Sequence, residues 1–132
     1  MKPQLLVKIL NRLYVGDCDY TAAALKQADI SYVLNVGGQI TGFENQRLYL
    51  TDDGNNEYSI IMGLVRLIKT KIEVGDRVLV HCRAGISRSP FLAVKYLEWM
   101  GMDLFTAIEF VREKHPALQI NQDLLHTTGY GK

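Results

Sequence analysis

Apolar and polar positions alternate along this chain with two periods, and they divide it into short elements. Leu5-Leu6-Val7-Lys8-Ile9-Leu10 and Leu13-Tyr14-Val15-Gly16 are apolar runs of strand length and predict two short strands or a hairpin. Thr21 to Ala28, rich in alanine, predicts a short helix with Thr21 near its N-cap. Ile30 to Val36 has the pattern of a buried strand, ended by Gly37-Gly38, and Arg47 to Leu50 suits a further strand. Asp52-Asp53-Gly54-Asn55-Asn56 is all turn and cap formers. Beyond it Ile60, Ile61, Leu64, Leu67 and Ile68 recur at helical spacing, predicting a helix over Glu57 to Lys71. After a turn at Glu73-Val74-Gly75-Asp76, Arg77 to Val80 reads as a central strand. Three helices follow, over Arg88 to Met100, Leu104 to Lys114 (stopped by Pro116) and Asn121 to Thr127.

Strands alternate with helices early and helices cluster late. That order predicts one three-layer α/β domain over residues 1–132, with a central, mostly parallel sheet flanked by helices. No repeat or linker composition interrupts it.

Composition narrows the classes. With 48% hydrophobic and 22% charged residues the chain can bury a core, which excludes disorder as its main state. A formal net charge of +1 creates no global field for nucleic acid or an anionic membrane, so no specific nucleic-acid partner is expected. No apolar run is long enough to insert into a membrane, and Met1-Lys2-Pro3-Gln4 does not open a secretory signal. Cys18 and Cys82 are too few for a disulfide framework and match no zinc spacing. Free thiols and a cytoplasmic location are expected, and a monomer.

Val78-Leu79-Val80-His81-Cys82-Arg83-Ala84-Gly85-Ile86-Ser87-Arg88-Ser89-Pro90 carries the chemistry. A buried strand passes through a small loop and opens a helix. Loop N–H groups and the first N–H groups of the helix have no intrahelical partners, and the positive end of the helix dipole adds to them. Together they make an anion site suited to phosphate. Gly85 permits a conformation that a Cβ would hinder, and Pro90 costs nothing in a first helical turn. A thiol at the mouth of this site, Cys82, is favoured as the nucleophilic thiolate. The planar fork of Arg88 can bind two phosphate oxygens at once.

His81-Cys82, five residues, then Arg88-Ser89 resembles the signature of the cysteine-dependent protein tyrosine phosphatases. The fuller string HCRAGISRSP is similar to the HCxAGxSRS form of their dual-specificity branch. Leu13-Tyr14-Val15-Gly16 is similar to that branch's LYLG strand, and Ile30 to Val36 to its VLNV strand; Tyr96-Leu97 falls where it often has YLM. The resemblance implies a cofactor-free, metal-free phosphatase. Cys82 would attack phosphorus and form a cysteinyl-phosphate, and Arg88 would clamp the equatorial oxygens. His81 would brace the loop and help keep the thiolate; Ser89 would hydrogen-bond the sulfur and ease its departure. The backbone of Arg83, Ala84, Gly85, Ile86 and Ser87 would cradle the phosphate.

The family takes its general acid from a separate loop. Asp53 is favoured, because Asp-Gly pairs recur there in related phosphatases; Asp52 is the alternative, supported by the alternation of Leu48 and Leu50. The chain is short of the added loop that makes a deep tyrosine-only pocket. The expected substrate is phosphotyrosine, and phosphoserine or phosphothreonine, in a phosphorylated protein. The alternatives are a phosphatase of RNA 5′-phosphates, phosphoinositides or phosphoglycans on the same scaffold, or a phospho-binding pseudoenzyme. Sulfur transfer and arsenate reduction fit less well, since His81 and Ser89 favour the phosphatase and no clear resolving cysteine is present. Cys18 reads as inert, with a redox partnership with Cys82 as the alternative; His115 and His126 are assigned no chemistry; Arg112 and Lys114 read as a solvated helix face, with substrate steering as the alternative; and Asn121 reads as a helix cap. Tyr14, Tyr32, Tyr49, Tyr58, Tyr96 and Trp99 read as core or core edge.

Overall fold

The protein is described by a computed structural model covering residues 6–125. Its elements run β1 (Leu6–Leu10), β2 (Leu13–Gly16), α1 (Ala22–Gln27), β3 (Tyr32–Asn35), β4 (Gln46–Arg47), α2 (Tyr58–Glu73), β5 (Val78–His81), α3 (Arg88–Trp99), α4 (Leu104–Lys114) and α5 (Gln122–Leu125). The expected order of elements is the observed one. His126 and the end of the last predicted helix lie outside the described residues, as does Leu5.

The sheet is mixed, in the order β1-β2-β5-β3-β4. β1 runs antiparallel to β2, while β2, β5, β3 and β4 are parallel. Strand alternation sorts the side chains onto two faces. Leu13, Val15, Leu34, Val78 and Val80 join the main core with Ile61, Leu64, Val65 and Ile68 of α2, Phe91, Leu92 and Leu97 of α3, and Val111 of α4. Tyr14, Val33 and Leu79 face the other way, with Leu25, Ala28 and Ile30 on and beside α1 packed against them. These two cores make the three layers: α1, the sheet, and the remaining helices.

Every residue of α3 from Ser89 to Leu97 is buried. The helix is wrapped by the sheet, α2, α4 and α5, and therefore shows no one-sided apolar stripe. Lys95 is buried there with its ammonium 3.0 Å from Glu98.

Three local differences from the sequence reading have physical causes. β4 stops at Arg47, although the extended course continues: Leu48 and Leu50 donate to the carbonyls of Asn35 (3.0 Å) and Val36 (2.9 Å). α2 runs two residues past Lys71, and Gly75, at φ +99°, turns the chain out of it. Tyr49 and Trp99 are surface residues, 51% and 41% exposed, because Tyr49 alternates with buried Leu50 and Trp99 ends α3. The Thr21 cap is present: its hydroxyl accepts from the Ala24 N–H at 3.1 Å.

Register positions the site. Gly16 and Asn35 both pair with His81, so the chain leaves β2, β3 and β5 at one level. The loops after these strands gather at the carboxyl end of the parallel sheet, where α/β folds place their ligands.

Candidate active site

Residues 82–87 link β5 to α3, and their shape follows from what holds each peptide. The Cys82 N–H donates to the Gly16 carbonyl at 3.1 Å, prolonging the sheet by one bond. Beyond it the loop carbonyls are drawn outward. Cys18 Sγ donates to the Arg83 carbonyl (3.5 Å), buried His115 Nε2 to that of Gly85 (2.8 Å), and the Gln119 N–H to that of Ile86 (2.9 Å). In a trans peptide the N–H points opposite to the C=O. Tethering these three carbonyls on the outside therefore turns the N–H groups of Ala84, Ile86 and Ser87 to the inside of the loop. Gly85, at φ +73°, makes the reversal between them and aims its own N–H at Cys82 Sγ, 3.3 Å away. The result is a concave ring of donors around one sulfur, at the start of a twelve-residue helix.

Cys82 is 2% exposed and sits at the floor of this ring. Ser89 Oγ lies 3.3 Å from Cys82 Sγ and 3.4 Å from the Gly16 carbonyl, so its single proton can serve either. Arg88 Nη1 donates to the Leu50 carbonyl at 2.9 Å. A Cβ on Gly37 would fall 2.3 Å from the same nitrogen, so glycine is what lets the guanidinium pass there. Gly38 (φ +93°) lies against the Arg83 backbone, where a Cβ would come within 2.8 Å of Cα. The Gly37-Gly38 pair that ends a strand in the sequence is also a wall of the site.

The two acidic candidates separate. Asp52 reaches the loop: the Ser87 hydroxyl donates to its Oδ1 at 2.5 Å, and Asn121 Nδ2 holds its carbonyl at 2.7 Å. The Asp53 Oδ1 accepts from the Thr51 hydroxyl (2.7 Å) and the Asn55 N–H (2.9 Å) within its own turn. Those bonds hold its carboxyl below the usual carboxylate range, the wrong direction for a proton donor near neutral pH. Asn56 knots the segment by bonding both the N–H (2.9 Å) and the carbonyl (2.8 Å) of Thr51.

His81 faces the other side of the sheet. Tyr20 Oη lies 3.0 Å from its Nε2 and 2.6 Å from Thr41 Oγ1, and the Glu44 carboxylate is 4.0 Å from Nε2. Burial pushes the imidazole down to about 4, against the opposing pull of Glu44 and the Cys82 backbone. Burial also pushes the Tyr20 phenol up to about 12. Burial would raise Glu44 as well, but bonds from the Thr41 N–H (2.7 Å) and Asn35 Nδ2 (2.8 Å) bring it down to about 2. His81 is therefore a neutral ring at pH 7. It braces the end of β5 and lends the sulfur no positive charge.

That network has a measurable consequence. An unfolded chain carries a proton on this histidine below pH 6.5, whereas the folded one refuses it until about 4. Stability from this site is full above pH 6.5 and falls as pH drops toward 4, by up to about 3 kcal/mol at about 1.4 kcal/mol per pH unit. Glu44 acts lower, between its ordinary 4.5 and about 2. Urea unfolding at pH 7, 5.5 and 4.5 is expected to show the upper slope, and His81→Gln to flatten it.

Sequence reading missed His115, Gln119, Asn121 and Cys18 as props of the loop. Asn121 does cap α5, through Asp123, but it also donates its own N–H to Ser87 Oγ (3.0 Å) and binds Asp52. A histidine just before Pro116 carries no mark of its burial; only the tertiary fold shows it. Among the described residues no group of three His, Cys, Asp or Glu side chains could hold a metal ion.

Residues 13–128 match the family model described as dual specificity phosphatase, catalytic domain. The chain belongs to the dual-specificity phosphatase family. It is 31% identical over 124 residues to Dual specificity protein phosphatase 2 of Mus musculus, covering 87% of this chain and 39% of that protein. It is also 31% identical over 132 residues to Dual specificity protein phosphatase 8 of Homo sapiens, covering 91% of this chain and 21% of that one. The chain thus spans less than half the length of these curated relatives. The crystal structure of human DUSP28 superimposes with a TM-score of 0.83 at 21% identity, covering 96% of this chain and 92% of that one. The three-layer α/β architecture is thus that of the cysteine-dependent phosphatases.

Proposed function

We propose that this phosphatase domain hydrolyses phosphotyrosine, and phosphoserine or phosphothreonine, in proteins through a phosphocysteine formed on Cys82. The observation that carries it is the sulfur of Cys82 at the centre of a ring of inward N–H donors, with Arg88 at its rim. The thiolate attacks phosphorus; the S–P bond forms as the bond to the leaving oxygen breaks. The leaving oxygen takes a proton from Asp52. Water then attacks the S–P bond, Asp52 takes its proton, and sulfur leaves as a thiolate that Ser89 can hydrogen-bond. Loop N–H groups and the Arg88 fork meet the charge that builds on the equatorial oxygens.

Asp52 is assigned the proton, in place of Asp53, because its carboxylate accepts from the phosphate loop's Ser87 and its backbone is tethered by Asn121, while the Asp53 carboxylate accepts from Thr51 and Asn55 of its own turn. No helix among the described residues is long and apolar enough to cross a membrane. Free cysteines, a cytoplasmic location and a monomer fit the reading.

The test is p-nitrophenyl phosphate hydrolysis from pH 5 to 8 with EDTA present. Asp52→Asn is expected to lose roughly 10²-fold in kcat, the usual worth of a positioned acid, and Asp53→Asn to stay near wild type. The reverse pattern would return the role to Asp53. An inactive wild type under reducing conditions would overturn the catalytic reading.

A further inference from the structure

β4 is one edge of the sheet, and the chain runs on from it to the active site, where the Leu50 carbonyl meets Arg88. From Asn45 to Leu50 the inward N–H groups are used: Asn45, Leu48 and Leu50 donate to Val33, Asn35 and Val36. By strand alternation the N–H and C=O groups of Arg47 and Tyr49 point to the free edge. At the end of this segment the Leu50 carbonyl receives Arg88.

Side chains on the outer face form a cleft of about 330 Å³, lined by Ile40, Arg47 and Tyr49. Ile40, 62% exposed, supplies an apolar wall to the cleft. Among the described residues no acceptor pairs with the Arg47 guanidinium. The sole acid between Gly37 and Thr51 is Glu44, which is buried and turned toward His81. The cleft is therefore apolar and cationic at once. Gly37, three residues before Ile40, lies against Arg88, and Gly38 against Arg83, which places the cleft beside the phosphate loop.

We propose that this edge and cleft form a subsite for the extended polypeptide flanking the phosphorylated residue. The flanking segment pairs with the outward Arg47 N–H and the outward groups of Tyr49, the Arg47 carbonyl being already met by Gln46 Nε2 at 3.5 Å. It sets an apolar side chain between Ile40 and Tyr49, and a carboxylate on the Arg47 fork. A small phosphomonoester is too short to reach it, so the subsite selects phosphorylated polypeptides. The proposal rests on the phosphatase reading above.

The experiment compares kcat/KM for p-nitrophenyl phosphate and for phosphotyrosine peptides of equal length. One peptide carries Asp and Leu before the phosphotyrosine, one carries them after it, one has serines on both sides, and two repeat the first pair with Lys for Asp. Wild type is expected to prefer one acidic peptide over the serine peptide by about tenfold, the worth of one charged hydrogen bond. R47E is expected to reverse the preference, toward the matching Lys peptide. Hydrolysis of p-nitrophenyl phosphate with no preference among peptides, or a preference that survives R47E, would overturn the subsite alone. No hydrolysis of p-nitrophenyl phosphate by wild type would overturn the phosphatase reading and the subsite with it.

Discussion

Cys82→Ser is expected to lower kcat for p-nitrophenyl phosphate by roughly 10⁴-fold or more while leaving the protein folded, since removing a covalent nucleophile costs effects of that order. The change is nearly isosteric. The hydroxyl still accepts from the Gly85 N–H and still neighbours Ser89, so the loop keeps its internal bonds. What disappears is the sulfur nucleophile, and with it the S–P bond of the intermediate. Single-turnover measurements would show no trapped phosphoenzyme. A variant retaining more than a few per cent of wild-type kcat would show that Cys82 does not carry the reaction.

Arg88→Lys is expected to cost roughly 10²- to 10³-fold, mostly in kcat, as for the loss of a donor aimed at transition-state charge. Lysine keeps the charge but not the fork, and a single ammonium cannot meet two equatorial oxygens in one plane. Arg88 lies between the Leu50 carbonyl and Gly37, at the head of a helix whose next nine residues are buried. Its substitution touches the site rather than the core, so thermal stability should change little. Equal losses in KM with kcat unchanged would mean that Arg88 serves binding alone.

The local chemistry was legible in the sequence wherever it was contiguous. Strand, loop and helix from Val78 to Pro90 are consecutive, and their geometry follows from an apolar run, a glycine and a first-turn proline. The loop's supports are not contiguous. His115, Gln119 and Asn121 lie some thirty residues further on and arrive by tertiary packing, which no periodicity records. Asp52 and Asp53 are chemically identical neighbours in a turn, and which one faces the loop depends on Asn56 and Asn121, two partners reached only once the turn has folded. Tyr49 misled for a different reason: aromatic content marks buried strands and exposed strand positions alike.

The burial of α3 on all sides has a consequence for how this site fails. Its amides, from Ser89 to Leu97, have no solvent-facing side from which to fray. Such amides exchange hydrogen only when the whole domain opens. The phosphate loop is the cap of that helix and shares its fate, so its donors lose their common focus in the same cooperative event that unfolds the protein. The loop's donor geometry is thereby tied to the cooperative stability of the domain as a whole.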